Sequence, residues 1–270
     1  MNKIPHEKPM FGEDTNGVLR RNPNNITIRQ HIISAKHLES WSSDNKTVFI
    51  QKIYSNNNAD RFIPFNNELF CVLRLWDQGC EADFKLIEDK FHTQLDLILK
   101  DGLSADVNYT HLVDYYKSVV IRCCLSRRER PHYEIDSDLA GEHSKEQLER
   151  IEWESVDNES GFVSIPVPER ADSQSLSRSV VRMTIDMMSV KLDSVFANTS
   201  WEILHLEEHH ENLCISDAID EFHDAEIDLL PLSPRILLVS TCSKSILGNA
   251  LKPNVINGLM LKFANRFCIQ

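Results

Sequence analysis

The sequence predicts an α+β domain with a helical middle and a small sheet built from N-terminal and C-terminal strand segments. Two observations carry that expectation. Runs rich in β-branched and aromatic residues lie near both ends, and the central third repeats its apolar residues every three or four positions. Strand material at the two ends around a helical centre fits terminal segments that share one sheet.

Residues 1–26 are polar, carry Pro and Asn, and read as a loosely held arm before a single domain over 27–270. QHIISAKHLESW is apolar at Ile32, Ile33, Leu38 and Trp41, and its SAKHLESW part is helix-like. TVFIQKIY follows as a strand candidate, and FIPFNNELFCVLRLW holds another short strand. From Glu81, the positions Phe84, Ile87, Phe91, Leu95 and Ile98 mark one helix face that Gly102 terminates. A second helix runs from about Asp106 through Leu112, Tyr116, Val119 and Cys123, and stops before Pro131. Glu142 to Trp153 reads as a charged surface helix. A long helix from about Asp172 to Asn198 is expected to bury Val181, Ile185, Met188, Leu192 and Val195, with Met183 and Met187 also core. WEILHL, NLCISDAI and PRILLVST are strand-like, and VINGLMLKFANRF closes the chain as a helix.

Composition narrows the functional classes. The 270 residues carry 29 Lys+Arg against 41 Asp+Glu, a net charge of −12, which opposes non-specific binding to nucleic acid or anionic lipid. A local basic groove remains compatible with that total. Only 8 glycines are present, and no P-loop, G-x-G-x-x-G, G-x-S-x-G or H-E-x-x-H string occurs. No apolar run is long enough to span a bilayer, and the N-terminus has no secretory signal pattern. The 7 cysteines are scattered, most of them in apolar runs, without metal-binding spacing, as expected of reduced, structural thiols in a cytoplasmic protein.

Read in order, several short segments form a series. They are QHIISAKHLESW, CEADFKLIEDKF, VVIRCCLSRRERP, WEIL before LCISD, PLSP, and VINGLMLKFANRFCI. The series resembles the bacterial domain-of-unknown-function family numbered 4238 over roughly residues 28–270. The resemblance matches His31 to the family histidine, Glu88 to an acidic helix residue, and Ser216 and Asp217 to a Ser-Asp turn. It places Ser233 in the Pro-Leu-Ser-Pro segment, and Asn257 and Arg266 in the terminal helix. Ser34 stands where the family usually has Pro, and Ala218-Ile219 replace an Asn-Pro pair. The family name brings no activity with it; its implied setting is bacterial accessory and defence genes.

His31, Asp217, Ser233 and Asn257 are polar residues in otherwise apolar segments. Such groups are kept either for hydrogen-bonded structure or for chemistry, because burial without a partner costs roughly 1–3 kcal/mol. On the chemical reading His31 is a general base, Asp217 orients it or holds a divalent metal, and Arg127 or Arg128 contacts phosphate. That requires the side chains to converge.

Four weaker patterns have stronger structural readings. His31 begins no complete histidine–metal finger, since no Asn-x-x-His partner follows. His205, Glu208 and His209 match H-x-x-E-H but sit between strand-like runs, not on a helix. Arg127 and His132 have the R-x4-H spacing of helical ribonucleases, interrupted by Pro131. Glu88-Asp89-Lys90 is an E-x-K string placed mid-helix. With the bacterial defence setting that the resemblance implies, the expectation is a cytoplasmic effector that hydrolyses nucleic acid or a nucleotide. The competing expectation is a non-catalytic protein-interaction subunit of a defence complex.

Overall fold

The computed structural model describes residues 11–13, 19–21, 27–42, 47–53, 61–65, 67–102, 105–127, 173–206 and 211–270. The helix expected over 142–153, and Arg128, His132, Glu208 and His209, lie outside the described residues. The chain is an α+β protein that divides into two compact units.

The first unit comprises residues 1–30, 72–85 and 129–187. Within the segment expected to be an arm, β1 (Phe11–Glu13) and β2 (Leu19–Arg21) pair antiparallel, with Phe11 opposite Arg21. β3 (Arg29–His31) forms a two-stranded ladder with β6 (Cys71–Leu73). The Gln30 amide extends that pairing by bracketing the Trp76 backbone. Its Nε2 donates to the Trp76 carbonyl at 2.9 Å, and its Oε1 accepts from the Trp76 N–H at 3.1 Å. Helix α2 (Gln78–Asp101) opens in this unit. A Cβ on Gly79 would lie 2.2 Å from Nη1 of Arg182, so glycine leaves room for that guanidinium to reach Asp77 at 3.3 Å.

The second unit comprises residues 31–71, 86–128 and 188–270. It contains α1 (Ala35–Glu39), β4 (Thr47–Ile53), β5 (Arg61–Pro64) and α3 (Tyr109–Arg127). The end of α4 (Ser173–Phe196) leads into β7 (Trp201–His205), β8 (Ile215–Ser216) and α5 (Ile219–Asp224). Then come β9 (Leu229–Ser233), β10 (Ile236–Ser240), α6 (Thr241–Leu247), α7 (Pro253–Phe263) and β11 (Phe267–Ile269). The antiparallel sheet β5-β4-β11-β8 unites early and late segments of the chain: Phe267 pairs with Ile53, and Cys268 with Ser216. A second antiparallel sheet has the order β7-β10-β9. Pro231 is tolerated in β9 because that strand is an edge, where a missing N–H breaks no ladder.

Helix boundaries follow their local signals. Gly102, at φ 60°, ends α2 in a conformation that favours glycine, and Pro253 opens α7 where no N–H is needed. α3 is enclosed on most sides, burying Leu112, Tyr115, Tyr116, Val119 and Cys123. All seven cysteines are free, five of them buried.

Several expectations are corrected. NLCISDAI is not one strand: β8 is two residues long, and Ile219 already begins α5. The last element is β11, not a helix, because α7 stops at Phe263 and the last apolar residues join the sheet. LLPLS, which is not among the strand-like runs read from sequence, is a strand that Ser233 ends. On α4 the buried face runs Val181, Ile185, Leu192, Phe196. Val195 is 48% exposed because it is rotated about 100° from Phe196 on the helix. Met183 and Met187 face outward, Met187 at 72%, and Met188 is only partly covered.

Candidate functional site

The second unit contains two polar networks, and they divide the residues singled out from sequence. The first joins β8 to the C-terminal elements. Asp217 is fully buried, and its carboxylate accepts from the backbone N–H groups of Asn265 at 3.0 Å and Arg266 at 2.9 Å. Burial raises its pKa, and the backbone donors together with Arg127 oppose that rise. Asn257, on α7, uses both ends of its amide. Oδ1 accepts from the Cys214 N–H at 2.7 Å, and Nδ2 donates to the Asn212 carbonyl at 2.7 Å. Both side chains thus fix the strand before α5 to the chain's last segments.

Arg127, at the end of α3, is also occupied. Its guanidinium donates to the Asp217 carbonyl and pairs with Asp220 at 3.1 Å and with Glu221. Burial pushes Asp220 up to about 6 even against that cation. Two carboxylates and a carbonyl around one guanidinium leave it poorly disposed to take a phosphate. Ser233 accepts from the Arg235 N–H at 3.3 Å, an ordinary turn contact. Among the described residues, no hydrogen bond links the side chain of His31 or Ser233 to that of Asp217 or Asn257. The proposed four-residue centre is therefore not one hydrogen-bonded cluster.

The second network surrounds His31, and most of its members carry no motif in the sequence. Arg122 is buried in α3, donating from Nη1 to the His31 carbonyl at 3.0 Å and to Glu88 at 2.5 Å. Its Nε and Nη2 reach the Ser118 carbonyl and Oγ, each at 3.3 Å. The His31 Nε2 is enclosed and has no hydrogen-bond partner among the described residues. Burial lowers the His31 pKa, Glu88 opposes that, and Arg122 adds to it.

Beside it runs a chain of five groups. His37 is enclosed by Trp41, Phe91 and Tyr115, with Nε2 3.0 Å from the Pro231 carbonyl and Nδ1 3.1 Å from the Tyr115 hydroxyl. The Tyr115 and Ser34 oxygens are 3.1 Å apart, and Ser34 Oγ is 2.9 Å from Nε2 of His92. Burial depresses the His37 pKa to about 3, so the ring is neutral.

One proton arrangement fills every contact. A carbonyl only accepts, so Nε2 of His37 carries its single N–H and Nδ1 must accept from Tyr115. Tyr115 then has no proton left for Ser34, so Ser34 donates to Tyr115. His92 must in turn donate from Nε2 to Ser34. The Ser34–His92 pair has the spacing of a nucleophile and its base, but the required polarity is reversed. A His92 nitrogen that already bears a proton cannot accept the serine proton.

Ser34, His37, Tyr115 and Arg122 were legible only in outline: polar side chains inside apolar runs, with Arg122 flanked by VVI and CCL. No protein-family description, curated protein or solved structure matches the chain. Among the described residues no three His, Cys, Asp or Glu side chains are grouped to hold a metal ion. No described helix is long and apolar enough to cross a membrane.

Proposed function

We propose that the chain is a non-catalytic protein-interaction subunit of a bacterial defence complex, acting in the cytoplasm. The observation that carries this reading is the internal use of the candidate chemistry. Asp217, Asn257 and the two Nη atoms of Arg127 are directed to the chain's own backbone and carboxylates. Such groups hold the fold together; they do not present reactive atoms to a substrate. The net charge of −12 suits a basic protein partner better than nucleic acid. The defence setting rests on the resemblance to family 4238.

The test is induced expression of wild type, His31→Ala and Asp217→Ala in a bacterial host at matched soluble levels. It is paired with co-expression of the products of adjacent genes and size-exclusion chromatography. The expected result is no growth defect from any form and a stoichiometric complex that survives His31→Ala. Wild-type toxicity abolished by both substitutions would overturn the reading.

A second reading keeps an effector that hydrolyses nucleic acid or a nucleotide. The enclosed Nε2 of His31, near Glu88 and without a partner among the described residues, favours it, with His31 as the general base and a divalent metal as its cofactor. In that case nucleotide or nucleic-acid profiles of the host change on induction, and His31→Ala restores them.

A further inference from the structure

The sheet β7-β10-β9 has two edges, and they are built differently. β9 carries Pro231, its register with β10 shifts between Ile236 and Leu237, and all of its residues are buried. Proline, an irregular register and burial are usual means of closing an edge to a further strand. β7 has none of them. Trp201, Glu202, Ile203, Leu204 and His205 are all partly exposed and pair with β10 without a shift. The one carboxylate of the strand, on Glu202, is matched by Lys244 at 2.5 Å.

The ladder fixes which backbone groups of β7 are unused. The Ser200 carbonyl accepts from the Thr241 N–H at 2.9 Å, and the Leu206 N–H donates to the Arg235 carbonyl at 2.8 Å. Bonded residues alternate in an antiparallel pair, so Ser200, Glu202, Leu204 and Leu206 are the ones bonded to β10. Trp201, Ile203 and His205 therefore direct their N–H and C=O groups away from β10, and no described residue meets those groups. Side chains alternate as well. Trp201 packs on Tyr116 and Phe196, which puts Ile203 and His205 on that face and Glu202 with Leu204 on the other.

We propose that β7 is a self-association edge whose occupant is β7 of a second copy, antiparallel about a two-fold axis at Ile203. In that register Ile203 faces its own counterpart, Trp201 of one copy faces His205 of the other, and Glu202 faces Leu204. All three outward residues then exchange both of their hydrogen bonds. An axis at Glu202 would set two carboxylates opposite each other and pair only Trp201 with Ile203. An axis at Leu204 would pair only Ile203 with His205. The Ile203 axis alone uses every free group and opposes no like charges, and this self-complementarity selects a second copy as the occupant. The two sheets become one continuous sheet across the axis. The association needs no other protein and stands apart from the interaction reading.

Sedimentation velocity of the full chain, from micromolar to several hundred micromolar, is expected to show a reversible monomer–dimer equilibrium. It tightens with salt, because each copy carries a net charge of −12. Ile203→Pro removes a donor that β10 does not use, so it keeps the fold by circular dichroism and abolishes the dimer. Should it fail to fold, position 204 carries the test. Leu204→Glu sets carboxylates opposite Glu202 and weakens association several-fold, whereas Leu204→Lys, which offers Glu202 a cation, retains it. Amide hydrogen exchange supplies the register: Trp201, Ile203 and His205 gain protection as concentration rises, while Glu202 and Leu204 are protected throughout. A chain that stays monomeric, a dimer that folded Ile203→Pro leaves intact, or equal weakening by both Leu204 variants overturns the proposal. Protection of the three amides only when another protein is present overturns it too, in favour of a foreign strand at this edge.

Discussion

Nε2 of His37 lies 3.0 Å from the Pro231 carbonyl oxygen, and this contact sets the direction of a proton chain that ends at His92. Because the carbonyl cannot donate, His37 must, and each hydroxyl after it is left one option. The chain ties α1 to α2, α3 and β9. It also removes the apparent nucleophile–base character of Ser34 and His92.

That polarity is directly observable. Long-range nitrogen–proton NMR is expected to show His37 and His92 both as Nε2–H tautomers near neutral pH. A serine-directed fluorophosphonate should leave Ser34 unlabelled. Labelling of Ser34 that disappears in His92→Gln would reverse the chain and revive a catalytic serine.

The pH dependence of stability contains two opposing contributions. His37 takes a proton near 6.5 in the unfolded chain but only near 3 when folded, so its contribution is present above 6.5 and lost as the pH falls toward 3. Asp220 behaves in the opposite sense. Its folded pKa of about 6 exceeds the unfolded 3.8, so its contribution is full below 3.8 and lost as the pH rises through 6. Each amounts to roughly 1.4 kcal/mol per pH unit inside its window, and the two offset between 3.8 and 6. Asp220→Asn should therefore steepen the acid loss of Tm in that interval, and His37→Gln should flatten it. Identical Tm profiles for all three proteins would contradict both assignments.

Asp217→Ala leaves two backbone N–H groups, those of Asn265 and Arg266, without their acceptor. The expected cost is about 2–5 kcal/mol in denaturant unfolding, whereas Asp217→Asn retains an acceptor and costs less. A catalytic Asp217 predicts the reverse, near-native stability in Asp217→Ala. Asn257→Ala should also destabilise, by about 1–3 kcal/mol, since it strips the Cys214 N–H of its partner.

Arg127→Ala tests the phosphate-contact role by a different route. The substitution removes the cation from Asp220 and Glu221, and unfolding should become easier by about 1–3 kcal/mol. Asp220→Asn in the same chain should recover part of that loss. Filter binding of a short oligonucleotide should not differ between Arg127→Ala and wild type. A selective drop in oligonucleotide binding with unchanged stability would restore the phosphate role.

Much of the fold was legible because it rests on local periodicity. The helices α2, α3 and α4 follow from apolar spacing and the terminators around it, and β4, β7 and β10 from β-branched runs. Their meeting in one α+β arrangement, with early and late strands in a shared sheet, follows from the same pattern. Short elements were harder. Two-residue β8 and the start of α5 share a continuous apolar stretch, NLCISDAI, which no period can divide. The outward face of α4 was not legible, because methionine and valine spacing cannot report which side of a helix finds a neighbour.

Sequence by itself determined the fold class, the main helices and strands, the acidic balance and the set of polar residues held in apolar surroundings. It also singled out Asp217 and Asn257 as candidate catalytic residues and Arg127 as a candidate phosphate contact. Tertiary structure alone decided the roles they hold. Hydrogen bonds join groups far apart in the chain, such as Asp217 with Asn265 and Arg266, or His37 with Pro231. No spacing rule encodes such contacts, because they depend on where packing brings distant segments. The same holds for the Asp228 carboxylate, which meets the Tyr116 hydroxyl from α3 and the His223 imidazole from α5.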